Sequence, residues 1–136
     1  ADILTPDLCV IGAGSGGLAV AEVARAYGAS VVLVEKARLG GNALSTGAIP
    51  AKALVAAAAH AQAVREGGAF GIAADDPRVN FRRVHDHVEQ VINALAPQHA
   101  AARLGALGVE VVEGTARFIN RRAVTAGDTE IRARRF

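Results

Sequence analysis

The 136-residue sequence has no tryptophan and no methionine, and aromatic residues make up only 4% of it. With so few bulky rings, the core must be built from small side chains in close contact, and alanine is by a wide margin the commonest residue. A single cysteine, Cys9, excludes an internal disulfide and fits a reducing compartment. No uninterrupted apolar run reaches the roughly 18–20 residues of a membrane span. The nearest stretch, Ala53 to Val64, is interrupted or flanked by Lys52, His60, Gln62 and Arg65. The opening ADILTPDL has acids and a proline where a signal peptide would have a basic start, so a cytoplasmic location is expected. With 51% apolar residues against 21% charged ones, the composition excludes an intrinsically disordered chain.

The formal charge is only +2, and its positive excess gathers near the end, in Arg117, Arg121, Arg122, Arg132, Arg134 and Arg135. No aromatic residues alternate with these arginines to form a stacking platform, which argues against a nucleic-acid partner. Metal binding is not expected either. His85 and His87 are two positions apart on a predicted helix and point to different faces, and His60 and His99 lack neighbours at ligand spacing.

Two short, unalternating apolar runs, Leu8–Ile11 and Val31–Val34, read as strands buried on both faces of a parallel sheet. Leu18, Ala21, Val23, Ala24 and Tyr27 mark a helix between them, with Gly28 as its terminator. A long alanine-rich helix is predicted from about Thr46 to Glu66, ended by Gly67 and Gly68, with Pro50 near its first turn. Asn80 is the expected cap of a third helix running to about Leu107, which Pro97 kinks or breaks. Val109–Val112 reads as another parallel strand. Thr115–Ile119, Ala123–Ala126 and Glu130–Arg134 then form a small antiparallel meander. The predicted class is therefore α/β, a Rossmann-like arrangement of parallel strands and helices with a small antiparallel meander over residues 1–136.

The first strand leads directly into Gly12-Ala13-Gly14-Ser15-Gly16-Gly17 and a helix, and Glu35 stands at the end of the second strand. This is the full dinucleotide-binding fingerprint. Gly12 permits the tight turn, Gly14 lets a diphosphate approach the backbone, and Gly17 lets helix and sheet pack closely. The N–H groups and positive dipole end of the helix favour the diphosphate, and Glu35 can accept ribose hydroxyls.

Residues 39–54, LGGNALSTGAIPAKAL, narrow the choice of dinucleotide. Gly40, Gly41, Leu44, Gly47, Pro50 and Lys52 match, in order and spacing, the pattern GG-x-C-L-N-x-G-C-x-P-S-K. The segment thereby resembles the class I pyridine nucleotide–disulfide oxidoreductases, the family of dihydrolipoamide dehydrogenase, glutathione reductase and mercuric reductase. EGTARF (residues 113–118) resembles the turn where the family's adenine meets backbone. The resemblance implies FAD as cofactor and a partial FAD-binding domain. Gly12, Gly14, Ser15, Gly16 and Gly17 would serve the diphosphate, Glu35 the adenosine ribose with Lys36 beside it, and Ala116 the adenine through its main chain. Gly41, Asn42 and the Ala43 backbone would lie near the diphosphate and flavin, and the Lys52 ammonium would stabilise negative charge on the reduced ring.

Departures from the pattern matter as much. Ala43 and Ala48 stand where the family has its two redox cysteines, so no catalytic residue of the dithiol is intact and disulfide chemistry is expected to be dead. Asn42, Ser45 and Ala51 also differ from the usual form. Cys9 is read as a buried strand residue that cannot replace either thiol. The family's NAD(P)H-binding and dimerisation domains are not within residues 1–136, so nicotinamide binding and the family's homodimer belong to the parent alone. An exposed sheet edge makes a marginal or self-associating species the expectation. Beside the flavin reading stands that of a non-catalytic nucleotide-binding or structural Rossmann module. An NAD-specific dehydrogenase domain comes third, disfavoured by residues 39–54.

Overall fold

The computed structural model describes residues 2–136, which form two compact units, one from residues up to 43 together with 96–136, the other from 44–95. In chain order the regular elements are β1 Asp2–Leu4, β2 Leu8–Ile11, α1 Ser15–Ala26, β3 Val31–Glu35, α2 Gly41–Ser45, α3 Ala48–Glu66, α4 Phe81–Leu95, α5 Ala101–Ala106, β4 Val109–Glu113, β5 Arg117–Asn120, β6 Ala123–Ala126 and β7 Thr129–Ile131. No helix among the described residues is long and apolar enough to cross a membrane.

The first unit has three layers. Its centre is a parallel sheet in the order β2-β3-β4, with Val10 opposite Leu33 and Leu33 opposite Val111. Side chains alternate across this sheet. Val10, Val31, Leu33 and Val109 pack on one face with Leu18 and Ala21 of α1 and Leu104 of α5. Cys9, Val32 and Val34 pack on the other face with Val124, Ala126 and Ile131 of a second sheet. Both faces are thus covered, and this is why the strands read as continuous apolar runs. Leu104 and Leu33 are wholly buried; truncating either to Ala would cost about 2–5 kcal/mol.

The second sheet has the order β1-β7-β6-β5. Its β5-β6-β7 part is the expected meander, beginning at Arg117 instead of Thr115 and ending at Ile131 instead of Arg134. Strand β1 adds to it in parallel with β7, Asp2 opposite Thr129 and Ile3 opposite Glu130.

The second unit is built on α3 and α4, which pack on each other. Gly71, at φ +75°, ends the 3-10 turn Gly67–Phe70 that follows α3. The Asn80 side chain accepts the Arg83 N–H at 3.2 Å and so caps α4, as its position suggests. Two helix boundaries differ from expectation. The long helix begins at Ala48, after Gly47, with the separate short helix α2 before it. The third helix stops at Leu95, and Pro97 lies in a 3-10 turn, Ala96–His99, ahead of α5.

Candidate functional site

The loop after β2 is held by main-chain bonds on both sides. The Gly12 N–H donates to the Val34 carbonyl at 2.8 Å, and the Ala13 carbonyl accepts the Gly40 N–H at 2.9 Å. Gly12 sits at φ +101°, a conformation that only glycine adopts without strain. A β-carbon on Gly17 would run into the Gly12 carbonyl oxygen and press on Val10, so α1 can start this close to the strand only with glycine there. At Gly14 and Gly16 the situation is reversed. A methyl group at either would meet nothing within 4 Å, so the loop shows bare backbone to open space. No side chain caps α1, and its first turn holds no acid. No acid of its own first turn therefore competes for its N–H groups and dipole, and the cradle fits a diphosphate.

Glu35 closes the site from β3. Its Oε2 accepts the Ala13 N–H at 2.6 Å and its Oε1 the Ala37 N–H at 2.8 Å, while its own carbonyl accepts the Gly114 N–H at 2.8 Å. Partial burial pushes this carboxyl up, but the N–H groups of Ala13, Ala37 and Lys36 and the Lys36 charge outweigh that and hold it below its ordinary value. Glu35 is thus a carboxylate at neutral pH. Lys36 is exposed beside it.

Gly41, at φ +61°, brings the second glycine pair against the first loop, and a β-carbon on it would stand 2.8 Å from Gly14 Cα. The structure therefore brings together the glycine loop, Glu35 and Gly41. Asn42 and Ala43 follow in α2, Asn42 exposed and Ala43 half-buried. Ala116 lies between β4 and β5, half-buried against the core shared by the two sheets. Lys52 and Ala48 belong to α3 of the second unit, both exposed. His85 and His87 lie on α4, and no group of three or more metal-binding side chains occurs among the described residues.

Cys9 is completely buried in β2, and desolvation pushes its thiol up to about 11. It has neither the access nor the charge of a redox thiolate. The contributions of Ala13, Ala37, Gly40 and Gly114 are main-chain bonds, which side-chain chemistry does not announce. The Gly40–Gly41 doublet and Gly114 carried a signal as glycines in motif segments, and all three adopt positive φ.

Residues 6–136 match the family described as pyridine nucleotide-disulphide oxidoreductase. Among curated relatives, the chain is 38% identical over 122 residues to a dihydrolipoyl dehydrogenase of Bacillus subtilis (90% of this chain, 26% of the relative). It is 34% identical over 113 residues to a mercuric reductase of Streptomyces lividans (82% and 24%). A glutathione reductase of Nostoc is 29% identical over 127 residues (93% and 28%). The chain thus spans about a quarter of the length of these relatives. A solved structure, the Cu(II) complex of the HOCl-induced flavoprotein disulfide reductase RclA from Escherichia coli, superposes with a TM-score of 0.73 at 25% identity, covering 92% of this chain and 25% of that one.

Proposed function

The chain belongs to the pyridine nucleotide-disulphide oxidoreductases, and on that premise we propose that it is an FAD-binding segment whose dithiol chemistry has been lost. The observation that carries the reading is the bare backbone at Gly14 and Gly16, directly beside the anchored carboxylate of Glu35. In the parent family the bound flavin supplies two-electron transfer from NAD(P)H toward a disulfide or mercuric ion.

This chain's own residues serve binding. The N-terminus of α1 from Gly14 to Gly17 donates N–H groups to the diphosphate, and Gly12 shapes the turn that exposes them. The remaining lone pairs of Glu35 accept hydroxyls of the adenosine ribose, with Lys36 at its flank. Ala116 offers main chain to the adenine. By the family resemblance, Gly41, Asn42 and Ala43 would border the diphosphate and flavin, and the Lys52 ammonium would supply positive charge that stabilises the reduced ring. Methyl groups at Ala43 and Ala48 form no thiolate and resolve no disulfide, so residues 1–136 have no reductase turnover. In the parent family, NAD(P)H binding and homodimerisation would fall to further domains. The buried, unpaired Cys9 suits a cytoplasmic setting.

The test is a titration of the purified chain with FAD, followed by flavin fluorescence, with NAD as competitor. Saturable quenching that NAD does not reverse supports the reading. A folded chain that ignores FAD would instead be a structural Rossmann module, and preferential NAD binding would make it a dehydrogenase domain.

A further inference from the structure

We propose that Glu35 is a positioning residue that holds the glycine loop in its ligand-ready shape before any nucleotide arrives, a role separate from contact with a ribose. The inference rests on the dinucleotide reading only for the identity of the ligand; the loop geometry stands by itself.

Ala13 is the middle residue of the first turn, and three kinds of contact fix it. Its side chain is wholly buried in the core beside Leu18, its carbonyl accepts the Gly40 N–H, and its N–H donates to Glu35 Oε2 at 2.6 Å. The last bond is charge-assisted and the shortest in the loop, as expected when a carboxylate accepts a main-chain amide. The same carboxylate is turned by its second oxygen, which takes the Ala37 N–H, and the Glu35 carbonyl takes the Gly114 N–H. One residue therefore joins the chain segments that leave the C-terminal ends of β2, β3 and β4. Remove the carboxylate, and the partly buried Ala13 N–H loses its acceptor, a costly loss for a donor shielded from water.

Two consequences follow for binding. The Ala13 N–H is already engaged, so the diphosphate is served by N–H groups from Gly14 onward. Both carboxylate oxygens are also oriented in advance, which spares the ligand the cost of ordering them.

Glu35→Ala separates positioning from direct contact. The methyl group accepts no hydrogen bond, so both the Ala13 and the Ala37 N–H lose their partner. Amide exchange measured by NMR on the ligand-free chain should show Ala13 protection falling at least about tenfold in Glu35→Ala, with Leu33 unchanged as evidence of an intact fold. Inorganic pyrophosphate, which has no ribose, is the binding probe. Removal of a negative charge would by itself tighten pyrophosphate binding, whereas loss of loop shape weakens it about tenfold. Weaker pyrophosphate binding together with Ala13 deprotection supports the proposal. Unchanged Ala13 exchange overturns it, as does unchanged or tighter pyrophosphate binding in the variant. If the wild-type chain binds neither FAD nor pyrophosphate while Ala13 protection still depends on Glu35, the positioning role stands and the cofactor reading falls.

Discussion

Gly41 and Gly14 meet through their backbones, with a β-carbon on Gly41 placed 2.8 Å from the Gly14 α-carbon. Neither partner is a flexible side-chain end, so nothing at this contact can swing aside. Gly41→Ala must move one loop or the other, and the φ of +61° adds strain for any residue with a β-carbon. FAD affinity should fall at least about tenfold, with about 1–3 kcal/mol of stability lost. Fluorescence titration and urea unfolding on the same variant would measure both.

Gly17→Ala should destabilise the fold itself. The new methyl would overlap the Gly12 carbonyl and force α1 away from β2, at a cost of about 1–3 kcal/mol or more. Gly105→Ala provides the contrasting control. That glycine lies inside α5, and a β-carbon there meets no atom within 4 Å. The substitution should stabilise by about 0.5–1 kcal/mol through helix propensity and a less flexible unfolded chain. Thermal unfolding of the pair should therefore shift in opposite directions.

Acid sensitivity should arise in part at Asp7. The Ser30 N–H and hydroxyl and the Arg134 guanidinium, at 2.9–3.0 Å, lower its pKa from 3.8 to about 2. A carboxyl depressed in the folded state stabilises above its unfolded pKa, and that contribution disappears as pH falls through the folded value. Between about pH 4 and 2, then, wild-type stability should decline more steeply than that of Asp7→Asn. Urea midpoints across this range would decide it; parallel slopes would contradict the assignment.

Cys9 should be inert until the chain unfolds. With the thiol wholly buried and raised to about 11, a thiol reagent at neutral pH should label none of the native protein and one equivalent of the denatured protein. Cys9→Ser would bury a hydroxyl among valines and cost about 1–3 kcal/mol.

The elements flanking the site were legible in the sequence because each carried a strong local signal. Leu8–Ile11 and Val31–Val34 were uninterrupted apolar runs, the glycines fixed the turn between them, and Gly28 ended α1 at φ +86°. What escaped had no local signal. Strand β1 is three residues long and is defined by a partner 127 positions away, while α2 is five residues beginning Gly-Asn. The sequence pattern marks Glu35 as a candidate ribose acceptor, yet its bonds to Ala13 and Ala37 depend on how two loops meet, which no periodicity encodes.

The pairing of β1 with β7 also bears on the order in which the molecule assembles. Asp2 finds Thr129 only once the 127 positions from one to the other are available, so β1 waits for a distant partner. Loop-closure entropy rises only slowly with length, so this wait scarcely affects equilibrium stability; it slows the search. Strand β1 should therefore lock late. In a refolding pulse of hydrogen exchange, the Leu4 amide, on the side of β1 that bonds to β7, would remain unprotected after Leu33 had already closed.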